Sequence, residues 1–165
     1  MTAAAKKIEN PVVLNEGDAA PAFDMPTDKG GQVSLASLKG KNLVLYFYPK
    51  DDTPGCTVEA KDFRDLLPEF EKANTVIIGV SKDNVASHDK FKDKFCLPFQ
   101  LASDEKTQTC EDYGVWVEKS MYGKKYFGIE RTTFLIDGQG KIRNIWRKVK
   151  VDGHASDVLA AARQL

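Results

Sequence analysis

Asn42-Leu-Val-Leu-Tyr-Phe-Tyr48 is a dense apolar run that ends at Pro49. A run of this length without alternation predicts a central strand that is buried on both faces. A helical pattern of apolar residues follows from Thr57, although Pro68 is expected to break or restart that helix. Thr75-Val-Ile-Ile-Gly-Val80 then predicts a second buried strand. The order strand, helix, strand indicates the α/β fold class.

The rest of the chain continues this alternation. The predicted elements are short strands near 22–25 and 33–35, a helix at 84–95, a short strand at 99–102, a short helix at 105–113, hairpin strands at 132–136 and 141–146, and a last helix from 152 or 153 to the end. Strands that alternate with helices and end in a hairpin and a helix predict a three-layer sandwich with a central mixed β-sheet.

The composition is that of an ordinary globular chain. Its 165 residues are 42% apolar, and 24 basic residues balance 24 acidic ones, so no nucleic-acid partner is expected. No apolar run approaches the roughly 20 residues of a membrane span, and the N-terminus lacks the apolar stretch of a secretory signal. We therefore expect a cytoplasmic protein with no membrane contact, a flexible tail at 1–15 and a single domain at 16–165.

Cys56, Cys96 and Cys110 are the only cysteines, and no two of them form a C-x-x-C pair. His88 and His154 lie at no metal-ligand spacing from them, so we expect neither a metal site nor a cofactor. The cysteines are therefore either buried small hydrophobes or reactive thiols. His88 has charged neighbours on its predicted helix, which favours a solvated surface position.

Cys56 is placed where a thiol can be reactive, because it opens a helix after the first long strand and a loop restricted by Pro49, Pro54 and Gly55. The free N–H groups and partial positive charge of a helix N-terminus favour the thiolate, which is the nucleophile. Thr53 adds a hydroxyl that can donate and accept hydrogen bonds, which suits a substrate with two linked oxygens. The pattern alone also fits a packing cysteine after a Pro-Gly turn, with Thr53 as a cap, and leaves both interpretations open.

The spacing Pro49-x-x-x-Thr53-x-x-Cys56 resembles the active-site signature of the peroxiredoxins, and the stretch from Tyr46 to Glu59 is similar to the bacterioferritin comigratory protein, or Q-type, group. The likeness continues in three further stretches: 121–125, 128–137 and 146–150. The resemblance implies a thioredoxin-like fold. It also implies a thiol-dependent peroxidase that reduces hydrogen peroxide and organic hydroperoxides through a sulfenic acid on Cys56.

The resemblance also implies roles for individual residues. Cys56 matches the peroxidatic cysteine, and Thr53 matches the threonine that hydrogen-bonds the peroxide and the sulfur. Pro49 matches the proline that shields the pocket from water. Arg131 matches the arginine that stabilises the thiolate, a role that suits a fixed guanidinium. Glu59, one helical turn after Cys56, is expected to hold Arg131 in place.

The resemblance is incomplete at the second thiol, which would resolve the sulfenic acid. Many Q-type proteins carry this cysteine where the chain has Lys61, and others carry it at the position aligned with Lys92. Cys96 lies one helical turn after Lys92. It can resolve only if the Cys56 helix unwinds locally, since a disulfide needs Cα atoms within about 7 Å. Its apolar context, Phe95-Cys-Leu-Pro-Phe99, favours a core position instead.

Other accounts of the reduction stay open. An external thiol can attack the sulfenic acid directly, or Cys110 can serve, although its place beside Tyr113 favours a buried structural cysteine. The resemblance implies peroxide substrates, a reductant such as thioredoxin, glutaredoxin or glutathione, and a monomer. The alternative is a redox-sensing or chaperone-like protein that is switched by oxidation of Cys56 with little turnover.

Overall fold

The computed structural model describes residues 12–165. The elements within this range are β1 Asp24–Pro26, β2 Gln32–Ser34, β3 Asn42–Phe47, α1 Pro54–Lys72, β4 Thr75–Ser81, α2 Val85–Phe95, β5 Gln100–Ser103, α3 Thr109–Asp112, β6 Trp116–Met121, β7 Lys124–Ile129, β8 Thr132–Ile136, β9 Ile142–Trp146 and α4 His154–Ala162.

The central sheet has five strands in the order β5-β4-β3-β8-β9. Strands β5, β4 and β3 are parallel, whereas β8 and β9 pair antiparallel with their neighbours. The predicted mixed sheet, with β3 at its centre, is therefore confirmed. Strands β6 and β7 form a separate two-stranded hairpin just before β8.

Each face of the sheet has its own apolar cluster, because successive side chains of a strand point to opposite faces. Leu45 and Phe47 of β3 enter one cluster, which is covered by the β1–β2 hairpin and α3. Val44 and Tyr46 enter the other, together with core residues of α1, α2 and α4. This arrangement confirms the predicted three-layer α/β sandwich.

Helix α1 differs from its predicted form in two ways. It begins at Pro54 rather than at Thr57, and it runs through Pro68 to its end, so the predicted break is wrong. A proline inside a helix costs roughly 3 kcal/mol. Phe63 and Phe70, on either side of Pro68, are fully buried. Because burial of each ring contributes about 2–3 kcal/mol, packing outweighs the local cost.

The short helix predicted at 105–113 is reduced to α3. The Asp104 carboxylate accepts hydrogen bonds from the backbone N–H groups of Thr109 and Cys110, at 3.0 and 2.7 Å. The helix that it caps therefore begins later than predicted, at Thr109, and residues 105–108 are not helical. Cys110 is buried, as predicted.

The predicted flexible tail falls mainly on residues 1–11, which lie outside the described residues. From residue 12 onward, no helix of the structure is long and apolar enough to cross a membrane.

Candidate active site

The loop between β3 and α1 places Cys56 in the first turn of a long helix. Pro54 is the first residue of α1, where its missing N–H has no helical partner to lose, and Thr53 is the extended residue before it. Cys56 is only 1% exposed. The sulfur therefore lies near the positive end of the α1 dipole and out of bulk water.

Arg131, between β7 and β8, connects Cys56 to a buried carboxylate. Its Nη2 donates to Cys56 Sγ at 3.3 Å, and its Nη1 donates to Glu59 Oε1 at 2.7 Å. A Cβ at Gly55 would lie 3.2 Å from Arg131 Nη2, so glycine leaves the guanidinium room to approach. Burial lowers the pKa of Arg131, but Glu59 and Cys56 raise it more, and the guanidinium stays charged.

Glu59 is buried one turn along α1 from Cys56. Its Oε1 pairs with Arg131, while its Oε2 has no hydrogen-bond partner among the described residues. Burial raises the pKa of Glu59 to about 7, even though the Arg131 guanidinium acts in the opposite direction. The carboxyl group therefore changes its protonation near neutral pH.

Thr53 and Pro49 lie in the same loop but outside this chain of hydrogen bonds. Thr53 Oγ1 donates to the carbonyl oxygen of Lys50 at 2.9 Å. With its proton engaged there, the hydroxyl oxygen keeps lone pairs that can accept a hydrogen bond from a substrate. Pro49 is exposed at the start of the loop.

The two remaining cysteines differ in exposure. Cys96 is exposed and follows the last residue of α2 in a left-handed conformation, with φ 52°, so its expected core position is wrong. The apolar residues that predicted a core position are its neighbours: after the turn that ends α2, Leu97 and Phe99 are buried, whereas Cys96 itself is not. Burial, with Asp104 nearby, raises the pKa of the Cys110 thiol well above its usual value, which fits an inert thiol.

His88 is not the solvated residue that its charged neighbours predict. It is fully buried, and its ring contacts Asp51, in the loop between β3 and α1, at 2.7 Å. His88 lies three residues before Phe91 on α2, so it shares the core-facing side of the helix. This spacing is the signal in the sequence that could have located it.

Lys119 of β6 is a second cation that the sequence did not single out. Burial and the charge of Arg131 lower its pKa, while the charges of Glu130 and Cys56 act in the opposite direction. The β6–β7 hairpin thus brings another positive group into the electrostatic surroundings of the thiol.

One group of potential metal ligands occurs within residues 12–165. Asp51, Asp83 and His88 place ligand atoms within 4.8 Å of one another. These side chains are joined to each other and to the backbone by hydrogen bonds, and we assign no metal there.

A buried cysteine that receives a hydrogen bond from a charged guanidinium is suited to act as a nucleophile. The fold and the site together define a thiol-dependent oxidoreductase. Comparison with known proteins makes the class specific. The model of the AhpC/TSA family matches residues 16–145. A bcp peroxiredoxin of Coxiella burnetii is 57% identical over 146 residues, which cover 88% of this chain and 97% of that protein.

A second relative and a solved structure agree. Peroxiredoxin Bcp of Bacillus subtilis is 48% identical over 93% of this chain and 98% of its own. The structure of Xanthomonas campestris peroxiredoxin Q is 50% identical with a TM-score of 0.83, covering 86% of this chain and 90% of that one. The chain belongs to the AhpC/TSA family, as a peroxiredoxin of the Bcp or Q type with a thioredoxin-like fold, and is therefore a thiol-dependent peroxidase.

Proposed function

We propose that Cys56 is the peroxidatic cysteine. Its thiolate attacks one oxygen of a hydroperoxide, so that an S–O bond forms while the O–O bond breaks. The sulfur is oxidised to sulfenic acid, and the other oxygen leaves, with a proton, as water or an alcohol. The observation that carries this proposal is the 3.3 Å contact between Arg131 Nη2 and Cys56 Sγ at the N-terminus of α1.

Arg131, Thr53 and Pro49 assist this step. The Arg131 guanidinium stabilises the thiolate and the negative charge that develops on the leaving oxygen. Thr53 accepts a hydrogen bond from the bound hydroperoxide, since its own hydroxyl already donates to the carbonyl oxygen of Lys50. Pro49 shields the pocket from water at its rim, and Glu59 holds Arg131 in place through their 2.7 Å contact.

Cys96 resolves the sulfenic acid. Its thiol attacks the Cys56 sulfur, the S–S bond forms and water leaves. The exposure of Cys96 supports this role, because an exposed thiol can meet Cys56 once the first turn of α1 opens. An external thiol then reduces the disulfide, and thioredoxin, glutaredoxin or glutathione fits that chemistry. We place the protein in the cytoplasm, as a monomer.

Organic hydroperoxides are substrates together with hydrogen peroxide. A structure of the Xanthomonas campestris bacterioferritin comigratory protein, studied for its alkyl peroxide reduction activity as a trapped intermediate and ligand complex, is 49% identical with a TM-score of 0.83. The similarity supports the same substrate class here.

Intact mass after one equivalent of hydrogen peroxide tests the proposal. The wild-type chain is expected to lose the mass of two hydrogens and to form no adduct with a sulfenic-acid trap. Cys96→Ser is expected to give the trapped adduct, and Cys56→Ser neither product. Cys110→Ser is the matched control and should behave as wild type. A trapped adduct in the wild-type protein would mean that an external thiol, and not Cys96, resolves the sulfenic acid. Oxidation of the Cys56→Ser variant would mean that Cys56 is not the peroxidatic cysteine.

A further inference from the structure

A buried group of charges lies at the base of the catalytic loop, defined here as residues 49–55. His88 of α2 is 0% exposed. Its Nδ1 lies 2.7 Å from Asp51 Oδ2, and its Nε2 lies 2.9 Å from the carbonyl oxygen of Ala102 on β5. A carbonyl oxygen can only accept, so Nε2 carries a proton.

The Asp51 carboxylate is also an acceptor, and this determines whether the second ring nitrogen of His88, Nδ1, carries a proton. The Tyr48 hydroxyl donates to Asp51 Oδ1 at 2.6 Å, and the Ser87 hydroxyl donates to Oδ2 at 2.8 Å. Both oxygens of Asp51 therefore accept hydrogen bonds from hydroxyl groups, Oδ1 from Tyr48 and Oδ2 from Ser87. Nδ1 of His88 therefore also donates, and the ring is an imidazolium.

The surrounding charges agree with this protonation state. Asp51 faces His88 from the catalytic loop, Asp83 from the turn after β4, and the phenol of Tyr48 from the position just after β3. Burial lowers the pKa of His88, but Asp51, the Ala102 carbonyl and Asp83 together raise it above its ordinary value.

We propose that His88 is a positioning residue for peroxide reduction: its imidazolium fixes the catalytic loop to α2 through Asp51 and so keeps Cys56 in its reactive pocket. The inference rests on the proposed function of Cys56. Asp51 is anchored twice, since its backbone N–H also donates to Asp83 Oδ2 at 2.8 Å. The loop is therefore fixed five residues before Cys56, at the end where it leaves β3.

The fixed point also sets which part of the loop can move. The pair between Asp52 and Lys94, one residue further on, is exposed at both ends and holds the loop weakly. When Cys56 leaves its pocket to meet Cys96, residues 52–56 move while Asp51 stays attached to α2. Loss of the His88–Asp51 pair frees the whole loop, and the population with Cys56 beside Arg131 falls.

Nitrogen NMR of the wild-type protein labelled in histidine tests the protonation state directly. His88 and His154 are the only histidines, so the two rings can be assigned with one variant. At about pH 6.5, where an ordinary imidazole is half deprotonated, both nitrogens of His88 are expected to show the shift of a protonated nitrogen, whereas His154 shows one lone-pair nitrogen. A lone-pair nitrogen on His88 at this pH overturns the proposal.

Asp51→Asn tests the positioning role. We expect His88 to lose one proton in the NMR spectrum and the oxidation of Cys56 by hydrogen peroxide, followed by quenched-flow mass spectrometry, to slow about tenfold. Asp93→Asn is the matched control, because it makes the same change at an exposed residue of α2, outside the catalytic loop. Its rate should stay within about twofold.

The outcomes separate this inference from the proposed function. A normal oxidation rate in folded Asp51→Asn would reduce the pair to a structural role and overturn the proposal. If that variant does not fold, Ser87→Ala removes one donor to the same carboxylate and should slow oxidation about threefold, and an unchanged rate would contradict us. A wild-type chain that does not react with peroxide at all would overturn the function of Cys56, while the imidazole spectrum would still decide the charge of His88.

Discussion

Arg131 divides its two terminal nitrogens between Cys56 and Glu59, and both contacts are made out of water. One nitrogen lies 3.3 Å from the sulfur and the other 2.7 Å from the carboxylate. The side chain of Glu59 is 1% exposed and that of Arg131 is 17% exposed. Charge interactions at such a site are stronger than at the surface, so we expect the position of the guanidinium to govern the reactivity of the thiol.

Arg131→Ala is expected to slow the oxidation of Cys56 by hydrogen peroxide about a hundredfold, which corresponds to about 2.7 kcal/mol of transition-state stabilisation. The variant loses the charge that stabilises both the thiolate and the leaving oxygen. Stopped-flow or quenched-flow measurement of sulfenic acid formation gives the rate. Arg143→Ala removes an exposed arginine on β9 and should leave the rate within about twofold. Equal rates in both variants would show that Arg131 is only structural.

Glu59→Gln is expected to make the rate depend on pH differently from wild type. Because the pKa of Glu59 is raised to about 7, the residue is mostly a carboxylate above that pH and mostly neutral below it. A neutral amide holds Arg131 less firmly than a carboxylate does. The wild-type rate should exceed the variant rate about tenfold near pH 8, and the ratio should fall toward one near pH 5.5.

Glu69→Gln, at a half-buried position near the end of α1 where the residue pairs with Lys72 and Arg163, is the matched control for that experiment. Its rate should equal the wild-type rate at every pH, since Glu69 lies far along the helix from Cys56. A wild-type to Glu59→Gln ratio that does not change with pH would contradict the proposed link between Glu59 and the thiol.

The sequence predicted those parts of the fold in which one local pattern decides the outcome. The run 42–48 is apolar throughout because β3 is buried on both faces, so its pattern and its environment coincide. Pro68 shows where this fails, since the packing of α1 against β4 and α4 is not visible in the local sequence. Cys56 and Arg131 were predicted as site residues from their motifs, and the structure adds the contact between them.

His88 and Cys96 were misplaced for the same physical reason. Their immediate neighbours are charged in one case and apolar in the other, but burial depends on which side of α2 faces the sheet. His88 shares the side of Phe91 and is buried, while Cys96 caps the end of the helix in a left-handed conformation and is exposed. A tertiary contact such as that between His88 and Asp51 joins residues 37 apart, and no local pattern encodes it.

Thr53→Val is expected to slow oxidation of Cys56 about tenfold or more, because the methyl group cannot accept a hydrogen bond from the peroxide. Thr53→Ser keeps the hydroxyl and should recover most of the wild-type rate, which separates the hydrogen bond from the packing of the side chain. Thr57→Val, one turn later in α1, serves as the control. If the valine and serine variants at position 53 react equally fast, the hydroxyl has no part in the reaction.

His154 is expected to weaken the fold in acid. The residue is buried beside Trp146, and its Nε2 lies 2.8 Å from Thr133 Oγ1. Burial lowers the pKa of His154 to about 4. The unfolded chain binds a proton below about pH 6.5 while the folded chain does not, so stability is lost as pH falls from about 6.5 to 4. The loss from this one residue is about 3 kcal/mol.

Urea unfolding of wild type and His154→Gln at about pH 7 and pH 4 measures the contribution of His154 to stability at each pH. The other titrating groups, His88 included, are common to both chains. The difference in the free energy of unfolding, wild type minus variant, should fall by about 3 kcal/mol between the two pH values. A difference that stays constant would mean that His154 takes up its proton without leaving the core, and that the acid sensitivity of the fold originates elsewhere.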